Sequence, residues 1–185
     1  WTMMGVDEED DKGMGNDDLV GKVQAQAPPT KSSPIGEIFY GYLMLCANSF
    51  QPAMGYLYRA LALQQSDPLL CLLCGVASLG RSTNRQVDNR NHTIIQGMAL
   101  FTHYAELRGD IPEVDYNFAR AYHHLNLVHL AVPRYERVLQ RASSKASKGT
   151  FDMAREAAFN LAMIFTQSGS PDLARHLYRT WLAVE

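Results

Sequence analysis

The amino-acid sequence predicts an all-α chain: an α-solenoid of about four helical hairpins, preceded by a disordered acidic leader. Three observations carry the prediction. In Tyr116–Leu139, YNFARAYHHLNLVHLAVPRYERVL, apolar residues recur at helical spacing on both sides of a short turn at Leu125–Leu127. Within that stretch Ala119 and Ala131 lie 12 residues apart, and bulky Tyr135 and Val138 follow 4 and then 3 positions later. Small side chains let one helix approach its partner closely, and large ones fill the gap behind. The landmarks also return: Gly75 follows Gly41 by 34 residues, and Ala131 follows Gly97 by 34. A fixed period of that length marks a two-helix unit stacked on copies of itself.

Residues 1–33 form the leader. They hold seven acids against three lysines and end in AQAPPTKSS. Little there can bury enough apolar surface to offset the entropy of ordering, so a disordered acidic linker is expected. The array then occupies 34–185. The first hairpin, about 34–67, has Gly41 as its small position and Ala53, Leu57 and Ala60 on its second helix. Pro52 suits the first turn of that helix, where an absent N–H costs nothing. Asp67-Pro68 opens the second hairpin, about 68–108, as an N-cap followed by proline at N1.

Gly75 is the small position there, but its partner landmarks Gly97, Phe101 and Tyr104 arrive late. Gly97 follows Ala53 by 44 residues, so 10 extra residues fall within Gly80–Thr93, GRSTNRQVDNRNHT. This reads as an inserted polar loop. Gly109 caps the preceding helix and Pro112 opens the third hairpin, about 112–141. Pro133 lies past the first turn of a helix beginning near Val128, which predicts a late start or a kink. A second insertion, Ala142–Thr150, precedes the last hairpin, about 152–185. There Ala162 follows Ala119 by 43 residues and Ala174 follows Ala131 by 43, with Tyr178 and Trp181 as the bulky pair. Ser170-Pro171 repeats the cap signal.

This pattern is that of the tetratricopeptide repeat (TPR), whose hairpins stack into a right-handed superhelix with a concave groove. Bulk properties narrow the function. The net charge of −2 gives no global pull toward nucleic acid or membrane, and no apolar run approaches the roughly 18 residues of a span. The three cysteines, Cys46, Cys71 and Cys74, are odd in number and sit in apolar helical pattern, as expected in a reducing compartment. The acidic, polar start is not a signal peptide, and Trp1 at the first position suggests a piece of a longer protein.

Candidate chemistry is sparse. Cys71-x-x-Cys74 resembles half a zinc site, but it lies at inward helical positions and reads as core. His123, His124 and His129 suggest a metal cluster, yet His123 and His124 point about 100° apart on one helix. No phosphate loop, nucleophile elbow or paired His-Glu motif occurs, so neither catalysis nor a cofactor is expected.

The groove is the better candidate. Its expected lining is apolar in the first two hairpins, through Ile38, Tyr42, Leu72 and Val76. It becomes mixed in the last two, through Tyr116, Asn117, Arg120 and His124, then Phe159, Asn160, Met163 and Gln167. Aromatics mixed with amides and an arginine suit an extended or helical peptide, and equally a face packed in part against neighbouring repeats of a longer array. A second candidate is the basic loop, with Arg81, Arg85, Arg90 and His92. It lacks interleaved aromatics to stack bases, which favours a solvated insertion or a contact with an acidic protein and leaves at most weak or indirect DNA contact. The apolar first hairpin, with Ile35, Ile38, Phe39 and Tyr42, predicts self-association of the isolated chain.

One segment is more specific than a generic repeat. DNRNHTIIQGMALFTHYAELRG (Asp88–Gly109), followed by YNFARAYHHLNLVHLAVPRYERVL, resembles the C-terminal repeats of the TPR subunit of TFIIIC, a factor serving RNA polymerase III. The Asn-Arg-x-His element, the Gln-Gly before the helix and the Arg-Gly after it carry the resemblance. So does the final EAAFNLAMIF with SPDLARHLYRTWL. It covers about residues 36–185. It implies a nuclear, non-catalytic scaffold that contacts other TFIIIC subunits and helps place the initiation factor TFIIIB at transfer RNA genes. The alternative is a TPR adaptor in an unrelated cytosolic or nuclear complex. Neither reading implies a membrane or a small-molecule substrate.

Overall fold

Helices alternate in antiparallel pairs through a computed structural model that describes residues 33–85, 87–143 and 153–183. The helices are α1 (Pro34–Cys46), α2 (Phe50–Leu63), α3 (Pro68–Ser82), α4 (Arg90–Arg108), α5 (Pro112–His124), α6 (Val128–Ser143), α7 (Ala154–Gln167) and α8 (Pro171–Leu177). A π-helical turn, Tyr178–Leu182, continues α8. All regular structure among the described residues is helical, so the expected all-α solenoid of four hairpins is what forms. The leader expected over 1–33 lies, apart from Ser33, outside the described residues. So does most of the second insertion.

The landmarks are buried because the helices meet there. Gly41, Ala53, Leu57 and Ala60 are buried in the first hairpin, and Ala119, Ala131, Tyr135 and Val138 in the third. Glycine is required where helices approach this closely. A Cβ on Gly75 would lie 2.7 Å from the Phe101 ring, and one on Gly97 would lie 2.9 Å from Leu79. The core falls into three clusters, each shared by neighbouring hairpins. Ala53, Leu57 and Ala60 meet Leu70, Cys74 and Ala77. Cys71, Leu79, Phe101 and Tyr104 meet Val114, Phe118 and Ala121. Ala131, Tyr135 and Val138 meet Ala157, Ala158, Leu161 and Ala174. Packing between nearest neighbours is what a repeat array requires.

Local signals set the helix ends. The Asp67 carboxylate accepts from the N–H groups of Leu69 (2.8 Å) and Leu70 (3.4 Å), with Pro68 beside it at N1. Ser170 precedes Pro171 as expected, but its hydroxyl makes no capping bond. Three of the four hairpins share one turn. Asn48, Asn126 and Gly169 all have positive φ, at 54°, 60° and 79°. The next residue donates its N–H five positions back at 2.8 Å in each: Ser49 to Met44, Leu127 to Tyr122, Ser170 to Phe165. This left-handed residue with its 6→1 bond closes the first helix and reverses the chain. The same turn in the same register is why the spacing of 12 recurs.

Three expectations need correction. Half of the polar segment Gly80–Thr93 is helix and not loop. Helix α3 runs on to Ser82, and α4 starts at Arg90, where the Asn89 side chain accepts from His92 N–H at 2.9 Å. Only 83–89 connects them, because the extra residues lengthen both helices and bury Gly80, Ser82 and Thr93. The helix holding Pro133 does not start late. The turn at Asn126 commits it to begin at Val128, leaving Pro133 inside α6 on its exposed side. Water can then reach the His129 carbonyl, which lacks its usual i+4 donor. Tyr178 is not a buried landmark. It is 39% exposed, while Leu177 takes the inward place beside Ala174. The wider turn that begins at Tyr178 breaks the α-helical spacing.

Candidate partner-binding groove

Helix α5 sets the polar wall of a cleft of about 440 Å³. Asn117, Arg120 and His124 recur at 3 and 4 residues along α5, so they share one face. The facing wall is α3, with Leu72, Val76 and Leu79, and Phe101 of α4 closes the floor. Of the groove residues expected from sequence, Leu72, Val76, Asn117, Arg120 and His124 thus line one cleft. Ile38 and Tyr42 do not line it.

Sequence reasoning missed Leu45, Asn48 and Phe50, which complete the cleft from the first hairpin's turn. A signal for Phe50 existed in Gly80. A Cβ there would lie 2.3 Å from the Phe50 ring, so only glycine lets that ring rest on α3. The left-handed turn at Asn48 then aims the start of α2 across the groove.

The polar groups are held in place. The Asn117 amide donates to the Tyr104 hydroxyl at 2.9 Å, and that hydroxyl donates to Glu113 at 2.8 Å. Arg108 pairs with the same carboxylate. Burial, and the carboxylate beside it, push the Tyr104 phenol up to about 12, so it stays a neutral donor. Arg120 is exposed and makes no ion pair or hydrogen bond among the described residues. His123 turns from the cleft onto the Tyr135 ring, with centroids 6.3 Å apart. Burial and the nearby Arg120 charge hold its pKa below the usual histidine value. His129 is exposed on α6.

The remaining groove residues lie on the next hairpin. Asn160 donates to the Tyr116 hydroxyl at 3.3 Å, tying α7 to α5, and Tyr116 stacks edge-on against Tyr135. Phe159, Met163 and Gln167 are exposed on α7, four residues apart. None of these five lines the cleft.

The basic residues separate. Arg81 sits in the last turn of α3, Arg85 in the connecting loop, and Arg90 and His92 in the first turn of α4. Cys71 and Cys74 are buried in the core as read from sequence, and burial raises both thiols, Cys74 to about 12. Cys46 is exposed. An arginine ladder went unforeseen. Arg134, Arg137 and Arg141 of α6 converge on buried Asp115 and exposed Asp110. Their spacing of 3 and 4 was its sequence signal.

No family model matches the chain. It is similar to three curated transcription factors. It is 34% identical over 169 residues to transcription factor tau subunit sfc4 of Schizosaccharomyces pombe, a match covering 83% of this chain and 17% of that protein. It is 31% identical over 163 residues to the transcription factor tau 131 kDa subunit of Saccharomyces cerevisiae, covering 85% and 15%. It is 27% identical over 150 residues to general transcription factor 3C polypeptide 3 of Homo sapiens, covering 80% and 17%. The match thus spans no more than 17% of the length of these relatives. Helical repeats, the signature segment and these similarities agree: the chain is homologous to a segment of the TPR subunit of the RNA polymerase III transcription factor TFIIIC.

Proposed function

We propose that this chain is a non-catalytic scaffold segment that works in the nucleus. It binds other TFIIIC subunits through its groove and helps recruit TFIIIB for transcription of transfer RNA genes. The observation that carries the reading is the cleft between α3 and α5, where an apolar wall faces preorganised Asn117 and unpaired Arg120. An apolar anchor site beside a few fixed polar groups is how helical repeats hold a peptide. Homology to TFIIIC subunits supplies the complex in which such a partner would be met. Arg81, Arg85 and Arg90 offer a second contact, to an acidic protein surface.

The test is co-purification of the chain with the remaining TFIIIC subunits, alongside the same chain carrying Leu72→Asp with Val76→Asp. The unaltered chain should associate and the variant should not. Failure of the folded, unaltered chain to associate overturns the reading. Reversing the charge of Arg81, Arg85 and Arg90 in the full-length subunit should lower transfer RNA gene transcription in extract.

A further inference from the structure

We infer that the α3–α5 cleft recognises a partner segment in which a large apolar side chain lies within a few residues of an aspartate or glutamate. The inference rests on the scaffold reading and names the chemistry of the partner at that site.

Charge complementarity carries it. The cleft's lining includes Arg120 and no carboxylate. The other arginines that pair with α5 are spoken for: Arg108 by Glu113, and Arg134, Arg137 and Arg141 by Asp115. Arg120 alone stands exposed at the polar edge with no counter-charge among the described residues. Burial first, and then the Arg120 charge, hold the pKa of His123 behind it below the usual histidine value. An unpaired guanidinium at the rim of a low-dielectric wall attracts a carboxylate more strongly than one in open water.

Geometry supplies the second half. Leu72, Val76, Leu79 and Phe101 offer an apolar floor, and about 440 Å³ lies within the range that encloses a bulky group. The Asn117 amide, fixed by Tyr104, stands one helical turn from Arg120, where it can bond the peptide backbone. Apolar anchor, backbone bond and carboxylate then fall in order along one face. A nucleic acid would find one arginine here and one partly exposed aromatic, Phe50, whose ring already rests on Gly80, so a peptide is the occupant.

The test is selection of short random peptides displayed on phage against this chain, repeated with Arg120→Glu. Both Arg120 and Val76 are exposed, so their variants keep the fold, which circular dichroism verifies. Selected peptides should share an apolar residue near an acid. A synthetic copy should bind the unaltered chain, lose about tenfold or more in affinity on Arg120→Glu, and lose similarly on Val76→Asp. Replacing the peptide's acid with its amide should weaken binding to the unaltered chain alone. Selection of basic peptides, no selection at all, or indifference to Arg120→Glu overturns the inference. Displacement of the peptide by single-stranded oligothymidylate at physiological salt also overturns it. Co-purification with TFIIIC subunits is read separately. Intact association without the acid preference sinks this inference alone, and lost association with the preference intact sinks the scaffold reading alone.

Discussion

Asp115 and Arg134 are 19 positions apart and join α5 to α6 through a 2.6 Å charge-assisted hydrogen bond. The carboxylate is 2% exposed, and its second oxygen lies 3.3 Å from Arg137 and 3.7 Å from Arg141. Arg134 also covers the Phe118 ring at 5.1 Å, so the pair ties polar and apolar packing of the third hairpin together. Asp115→Ala strands Arg134 and takes one of two carboxylate partners from Arg137 and Arg141, which keep Asp110. The loss should be about 2–3 kcal/mol, below the figure for a fully buried pair because the arginines reach water. Urea denaturation measures it, and a loss under about 0.5 kcal/mol would remove Asp115 from the fold's supports.

Gly75→Ala should cost about 1–3 kcal/mol. Its Cβ would meet the Phe101 ring, which is buried and already packed on Phe118 at 5.6 Å. Gly55→Ala on α2 is the contrast: its nearest neighbour is Arg59 at 3.7 Å, and it should be neutral or stabilising by up to about 1 kcal/mol. Thermal melts of the two variants should move in opposite directions, or the second not at all. Equal losses would contradict the close-approach account.

Gly169→Ala tests the shared turn. A side chain at φ 79° costs about 1 kcal/mol. Asn126→Gly, at φ 60°, should stay within about 0.5 kcal/mol because asparagine already tolerates that region. An unaffected Gly169→Ala melt would mean that the turn does not need its left-handed residue.

Tyr104 predicts an alkaline signature. Its folded pKa, about 12, lies above the ordinary 10.0. The neutral phenol is therefore favoured in the fold. Its contribution is complete below about pH 10 and fades as pH climbs toward 12. Stability followed across that window should fall steeply, and Tyr104→Phe should flatten part of the fall. An unchanged slope would show that Tyr104 is not held by Glu113 and burial.

The array was legible because its signals are local and periodic. Ala119, Ala131 and Tyr135 sit at fixed intervals, and Asp67-Pro68 announces a helix start without reference to any other element. The lengthened α3 and α4 were hidden because Ser82, Asn89 and Thr93 are equally at home in caps and loops. The cleft was half visible. Positions on α3 and α5 follow from repeat register, whereas Phe50 enters from a turn whose direction depends on the backbone at Asn48. The ladder on Asp115 required knowing which helix faces α6. Tyr178 failed because a π-helical turn breaks the counting on which the landmarks depend.

The three separate core clusters have a mechanical consequence. Among the described residues, none joins the first hairpin to the fourth. Tension applied at the two ends therefore loads the clusters in series, and the weakest yields first while the others hold. Stretched in optical tweezers, the chain should lengthen in discrete steps of about one hairpin each. A body built this way can flex to follow moving neighbours without coming apart as a whole.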